Sequence, residues 1–372
     1  LEVLERLVAA LADRPEEALA PARERVRISP DDEQARATLV ELLGAAGRRQ
    51  EAEEHYHLGR RQLERTPTRE TGALRDAWRK VSGARPAASA ADEDVRRQEI
   101  RFCTASDGVR IAYASLGEGP PLLKAANWLS HLEYDWKSPL WRHMARDLSS
   151  QFRLVRYDQR GCGLSDREVD VLSLETFVDD LACVADASGL ERFALLGISQ
   201  GSRASIAYAV AHPERVSHLV LYGGGARGWR HRKQGALESR LAMQTLMRQG
   251  WGRDNPAFRQ VFTSLFMPDA SPEQMSWFNE LQRVSSSPET AVRISDCSGS
   301  IDVLPLLEQI RVPTLVMHAT HDAVIPFEEG RILAAGIPDA RFVALDSRNH
   351  LLLDDEPAWA RFLSEIRSFL GS

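Results

Sequence analysis

From Ile100 onward the chain alternates short apolar runs with longer amphipathic stretches. The runs RIAYASLG (110–117), PPLLKAAN (120–127), FRLVRYD (152–158), FALLGIS (193–199), SHLVLYG (217–223), PTLVMHA (313–319) and RFVALD (341–346) each read as a strand. Most are followed by apolar residues at helical spacing, as at Ile206, Ala207, Val210 and Ala211 behind FALLGIS. This alternation predicts an α/β fold of three layers, a mostly parallel sheet covered on both faces by helices. In such a sheet ligands meet the chain at the carboxyl ends of the strands. Residues 1–82 carry no strand pattern and read as successive amphipathic helices broken near Pro15, Pro30 and Gly47. Between the halves, GARPAASAADED (83–94) is small, Pro-containing and then acidic, the composition of a flexible connection. The pattern therefore predicts an all-α domain over 1–82, a linker over 83–98 and an α/β domain over 99–372.

Composition narrows the choice. A chain of 372 residues with 43% hydrophobic content can build roughly two domains and at least one large core. The net charge of −6, with both signs interspersed, supplies no footprint for nucleic acid or an anionic membrane, and no apolar run reaches spanning length. Cys103, Cys162, Cys183 and Cys297 have no metal or redox spacing and predict free thiols in the cytoplasm. The chain begins at Leu1 rather than methionine, which suggests a piece of a longer protein.

The candidate chemistry starts at GISQG (197–201), where a serine stands between two glycines at a strand-to-helix seam. A sharp turn there crowds the flanking backbone, so glycines are required on either side, and the serine hydroxyl projects clear of its own chain. The helix that follows presents its N-terminus to any oxyanion forming beside Ser199. A serine hydroxyl needs a base, and the base needs a carboxylate to orient it. THDAVIP (320–326) offers Asp322 after one strand, and SRNHLLLDDEP (347–357) offers His350 after the last. The order Ser199, Asp322, His350 is that of the α/β-hydrolase triad. By contrast, YDQRGCGLSD (157–166) reads as a structural turn despite its Asp158 and Arg160, and His318 and His321 lack a third ligand for a metal.

Two resemblances follow from these residues. Residues 100–372 resemble an α/β-hydrolase fold protein, and within that group the bacterial hydrolases fused to regulator or cyclase domains. The stretches that carry the likeness are ANWLSHLEYDW, YDQRGCGLSD, GISQGS, ELQRVSSSPE, PFEEGR and RNHLLLDDEPAW. The resemblance implies Ser199 as nucleophile, His350 as base and Asp322 as its partner, with oxyanion donors from the backbone N–H groups of Gln200 and of the loop after PPLLKA. Many relatives carry His-Gly in that loop; here Ala126-Asn127 stand there, which leaves Trp128 as the donor. The resemblance implies no cofactor and no metal. In the first half, RPEEAL (14–19) recurs as RRQEAE (48–53), aligning Ala18 with Ala52 at the tetratricopeptide offset of 34, although an ordinary pair of helical hairpins fits as well. PDDEQARATLVELLGAAGRRQEAEEHYHLGRRQLE, with PTRETGALRDAWRKV, resembles the bacterial transcriptional activator domain of antibiotic-pathway regulators. That likeness implies partner binding or self-association into a homo-oligomer, and no chemistry of its own.

About 75 residues, 226–300, form an insertion rich in aromatics that would cover the strand ends as a helical cap. Asn127, Trp128, Tyr134, Trp229, Phe266 and Trp277 are the candidate substrate contacts. The run WRHRK (229–233), with Arg230 and Arg232, reads as a solvated helix start rather than a charge-reading mouth. These readings together predict a serine hydrolase for small to medium apolar carboxylic esters, lactones or thioesters. The alternative is a ligand sensor that signals through the helical half to a DNA-binding region outside this chain.

Overall fold

The computed structural model describes residues 2–11, 14–30, 32–48, 51–53, 55–56, 58–59, 72–83, 98–232 and 234–371. The chain divides between Ala90 and Ala91 into two compact units. Most of the expected linker, residues 84–97, lies outside the described residues, as do residues 60–71 of the activator-like stretch.

The first unit is helical over its described residues, with α1 (Glu2–Ala10), α2 (Pro15–Ile28), α3 (Glu33–Ala45) and α4 (Ala73–Gly83). Pro15 opens α2 where its missing N–H costs nothing, and the Asp32 carboxylate caps α3 by accepting from the Ala35 N–H at 3.0 Å. The core joins Ala18, Leu19, Leu39, Leu43, Ala52 and Leu74. Both aligned alanines, Ala18 and Ala52, are fully buried. Small side chains there let helix backbones approach closely.

The second unit is built on one eight-stranded sheet of β1 (Glu99–Thr104), β2 (Arg110–Leu116), β3 (Pro121–Lys124), β4 (Arg153–Tyr157), β5 (Phe193–Ile198), β6 (Val216–Tyr222), β7 (Thr314–Ala319) and β8 (Arg341–Leu345). Their order is β1-β2-β4-β3-β5-β6-β7-β8. The β1–β2 and β2–β4 pairs are antiparallel and the rest parallel. The sequence pattern misses β1, because EIRFCT sits at an exposed edge where polar residues are retained. Period-two alternation sorts the strand residues between two cores. Leu195, Leu219, Leu221 and Val316 pack against α7 (Leu174–Ala187), α8 (Gly201–Ala211) and α13 (Phe327–Gly336) through Leu181, Ile206 and Leu333. Leu196, Ile198, Val220 and Met317 face the other way, toward α6 (Arg142–Ser149) and α14 (Pro357–Leu370).

Between β6 and β7 stand α9 (Gln234–Gly250), α10 (Ala257–Phe266), α11 (Pro272–Ser285) and α12 (Pro288–Ser300). The last two each start with a serine cap followed by proline, a strong stop-and-start signal. Trp251, Phe262, Phe266 and Phe278 from this insertion join the same apolar core as Leu196 and Val220. The helices are thus anchored to the sheet beneath them. Short α5 (Leu132–Lys137) lies between β3 and α6.

The YDQRGCGLSD loop is tied down by buried charge. Asp158 accepts the N–H groups of Leu132 and Leu164 at 3.1 and 2.8 Å. Gly163 has φ +55, and a Cβ there would lie 2.1 Å from the Asp158 carboxylate. Arg160, fully buried, bonds both oxygens of Asp180 at 2.8 and 2.7 Å and reaches Asp107 at 2.6 Å. Arg160→Ala strands the buried Asp180 carboxylate, and urea denaturation should show a loss of about 3–5 kcal/mol. A loss under about 1 kcal/mol would show that the cluster does not hold the loop.

Candidate active site

The carboxyl end of β5 delivers Ser199 into a tight turn before α8. Ser199 takes φ +53, in the left-handed region where a side chain is strained. Its N–H donates to the Tyr222 carbonyl of β6 at 2.9 Å. The glycines on either side answer to space. A Cβ at Gly197 would lie 2.8 Å from the Ser202 Cα, and one at Gly201 would lie 2.7 Å from the Ala126 carbonyl oxygen.

Asp322 follows β7 and His350 follows β8, and the fold brings both to Ser199. The Ser199 hydroxyl donates to His350 Nε2 at 2.8 Å, and His350 Nδ1–H donates to Asp322 Oδ2 at 2.6 Å. Asp322 Oδ1 accepts the N–H groups of Val324 and Ile325 at 2.7 and 2.9 Å. Burial works against ionising this carboxyl, but His350 and the backbone donors outweigh it and hold Asp322 below its ordinary value. His350 is fully buried, and its backbone N–H donates to the Phe266 carbonyl at 2.8 Å. The Phe266 ring meets the imidazole edge-on at 5.2 Å. His318, another buried histidine, is engaged through Nε2 with the Ile325 carbonyl at 2.9 Å. The described residues contain no cluster of three metal-binding side chains.

Gln200 and Trp128 line the same pocket as Ser199. Neither backbone N–H donates to another described residue, so both remain available to an oxygen anion. Trp128 is fixed by stacking on Trp251 at 5.6 Å, and Leu129 beside it adopts φ +63.

With this geometry, residues 136–357 match the family of the alpha/beta hydrolase fold. The chain belongs to that family. It is 28% identical over 242 residues to a putative carbamate hydrolase RutD of Azorhizobium caulinodans, covering 64% of this chain and 87% of that one. Among solved structures it resembles an esterase from Exiguobacterium antarcticum, at 25% identity and TM-score 0.63 over 73% of this chain and 99% of that one. An enol-lactonase from Burkholderia xenovorans shares the fold at 22% identity and TM-score 0.61, over 73% of this chain and all of that one. The family match does not extend into the helical first unit.

The structure brings some of the sequence-predicted contacts into the pocket beside Ser199 and leaves others outside it. Trp128, Trp229 and Phe266 line it, together with Val324 and Ile325. Asn127 does not. Its amide is buried on the far side of the loop, where Oδ1 accepts from Lys124 Nζ at 2.5 Å and Nδ2 donates to the Trp128 carbonyl. Tyr134 and Trp277 also stand outside the pocket lining, tilted against each other at 5.0 Å with the Tyr134 hydroxyl donating to the Trp277 carbonyl. ELQRVSSSPE serves the fold too, since the Ser285 carbonyl accepts from Gly163 N–H and Arg167.

The WRHRK run divides in the structure. Arg230 pairs with Asp296 and stacks on the Trp229 ring at the surface. Arg232 instead turns inward, with only 10% of its side chain exposed, and lines the pocket beside Ser199. Arg203 and Arg240 join it there, and sequence reasoning passed over both. Lys233 lies outside the described residues. This placement predicts different sensitivities along the aromatic set. Tyr134→Phe and Trp277→Phe should leave kcat/KM on any turned-over ester within about threefold of wild type, whereas Phe266→Ala should change it by about tenfold or more. Equal sensitivity of the three would place the substrate elsewhere.

Proposed function

We propose that this protein is a serine hydrolase for small to medium carboxylic esters, working through an acyl-enzyme on Ser199. The observation that carries the reading is the unbroken hydrogen-bond chain from Asp322 through His350 to a strained Ser199, at the mouth of a pocket with two unengaged N–H groups. In the first step Ser199 Oγ attacks the carbonyl carbon while His350 Nε2 takes the hydroxyl proton. Asp322 keeps Nδ1 protonated and stabilises the imidazolium that forms. The carbonyl oxygen, now an anion, is received by the backbone N–H groups of Gln200 and Trp128, which need not reorganise to meet it. His350 returns the proton to the leaving alcohol, and a water molecule activated by the same base then cleaves the acyl-serine. Each step uses groups of this chain, and lactones, thioesters or carbamates could follow the same course.

The wall formed by Trp128, Trp229, Phe266, Val324 and Ile325 supports an apolar body for the substrate. The kinship with an esterase and a putative carbamate hydrolase accords with acyl chemistry. For the helical first unit we propose association with a partner or a second copy. A pure ligand sensor is the weaker reading, because binding alone gives no physical reason to hold Ser199 in a strained turn against a histidine.

The test is turnover of 4-nitrophenyl esters. Ser199→Ala and His350→Ala should each remain folded, with matching melting temperatures, and lose about three or more orders of magnitude in kcat. The double variant should lose little more than either single one, since the members act as a unit. Wild-type-like turnover in Ser199→Ala would remove the mechanism.

A further inference from the structure

The proposed chemistry leaves one feature of the cleft without a role, namely its positive charge. Arg203, Arg232 and Arg240 line the pocket that holds Ser199, and they reach it from α8, from the segment before α9 and from α9 itself. Arg203 stands one helical turn beyond the nucleophile and is 3% exposed. It donates to the hydroxyl of Ser298, another pocket residue, and its Nε has no partner. Arg240 donates to the Val324 carbonyl at 2.7 Å, and Arg232 to the Arg227 carbonyl at 3.1 and 3.0 Å. These acceptors are neutral. They orient the guanidinium groups without neutralising them.

The acids nearby do not balance the count. Glu329 pairs with Arg227 at 2.7 Å and lies 3.8 Å from Arg232. Asp322 is committed to His350, which becomes a cation itself when it takes the serine proton. Asp296 is engaged by Arg230. Two carboxylates, Glu329 and Asp322, are thus set against the four guanidinium groups of Arg203, Arg227, Arg232 and Arg240. Burial, and after it the charge of Arg232, brings Arg203 and Arg240 down to about 10, which leaves both charged at neutral pH. Buried cations crowded in this way favour the entry of an anion.

We propose that the substrate carries a carboxylate in addition to its scissile ester, and that Arg203, Arg232 and Arg240 hold that carboxylate inside the pocket beside Ser199. The inference rests on the serine hydrolase reading and narrows it to half-esters of dicarboxylic acids or esters of hydroxy acids. Guanidinium groups suit this task because their fixed fork of donors matches the two oxygens of a carboxylate. Trp128, Trp229 and Phe266 take the hydrocarbon that separates the two ends. The neutral acyl preference expected from the sequence gives way, because it assumed that Arg232 faces water.

The experiment compares matched esters on the intact 372-residue chain. 4-Nitrophenyl hydrogen adipate against 4-nitrophenyl hexanoate exchanges a carboxylate for a methyl group on the acyl side. 4-Acetoxybenzoate against 4-methylphenyl acetate does so on the alcohol side. In at least one pair the anionic ester should be favoured in kcat/KM by about ten- to a hundredfold. Arg240→Gln and Arg232→Gln should cut that ratio to about threefold or less, and Arg240→Lys should keep part of it. A substitution that only loosens the fold would lower both esters alike, so the ratio separates recognition from damage. Equal or better use of the neutral ester in both pairs, with Ser199 still labelled by a fluorophosphonate, overturns the carboxylate inference and leaves the hydrolase reading standing. A preference that survives both glutamine substitutions also overturns it. Absence of turnover together with absence of labelling overturns the hydrolase reading and this inference with it.

Discussion

Ser199 is strained, and the rest of the site is arranged to keep it so. A non-glycine residue at φ +53 costs on the order of 1–3 kcal/mol, and such a cost persists only where neighbours leave no alternative. Tyr222 is the central neighbour. Its carbonyl accepts the Ser199 N–H at 2.9 Å, and its hydroxyl donates to the His350 carbonyl at 3.1 Å. One residue of β6 therefore fixes the backbones of both the proposed nucleophile and the proposed base. Gly223, directly after it, has φ +57, and a Cβ there would lie 3.3 Å from the imidazole. The two glycines of the elbow complete the confinement from the α8 side. Substrate need not reposition any of these groups, which is what preorganised catalysis requires.

The site divides into a rigid floor and a selective roof. Ser199, Asp322 and His350 follow the carboxyl ends of β5, β7 and β8. Trp229, Phe266, Arg232 and Arg240 come from the insertion between β6 and β7, packed on that sheet through Trp251 and Phe278. In our account the floor supplies the acyl chemistry, while the roof sets which ester enters. Arg203 belongs to the floor, on α8, and meets the roof at Ser298 of α12. It links the two functions physically.

Much of this was legible in the residues because it depends on local pattern. The seven apolar runs coincide with β2 to β8, and GISQG marks its turn because only glycines fit beside Ser202 and the Ala126 carbonyl. β1 escaped detection for a physical reason. An edge strand that remains exposed has no need of apolar alternation. The pocket was the least legible part. Tyr134 and Trp277 look like substrate contacts by type, yet they pack on each other outside the pocket lining, and Asn127 is engaged by Lys124 and the Trp128 carbonyl. Arg203 did leave a signal: it is the one charged residue in GSRASIAYAVA, a helix otherwise of small and apolar residues. Arg232 left the basic run WRHRK as its signal, but its inward turn is decided by tertiary packing around Gly225 and Glu329, and Arg240 left none.

The central claim is a covalent intermediate on Ser199, and its direct test is to trap that species from a substrate. Rapid mixing of the protein with an excess of a 4-nitrophenyl ester, followed by acid quench and peptide mass analysis, should give a burst of 4-nitrophenolate near one equivalent. The peptide containing GISQGS should carry the added acyl mass on Ser199, and it should be unmodified in Ser199→Ala. Steady hydrolysis with no acylated peptide under conditions that trap an authentic serine esterase, or an acyl group found on a different residue, would contradict the account.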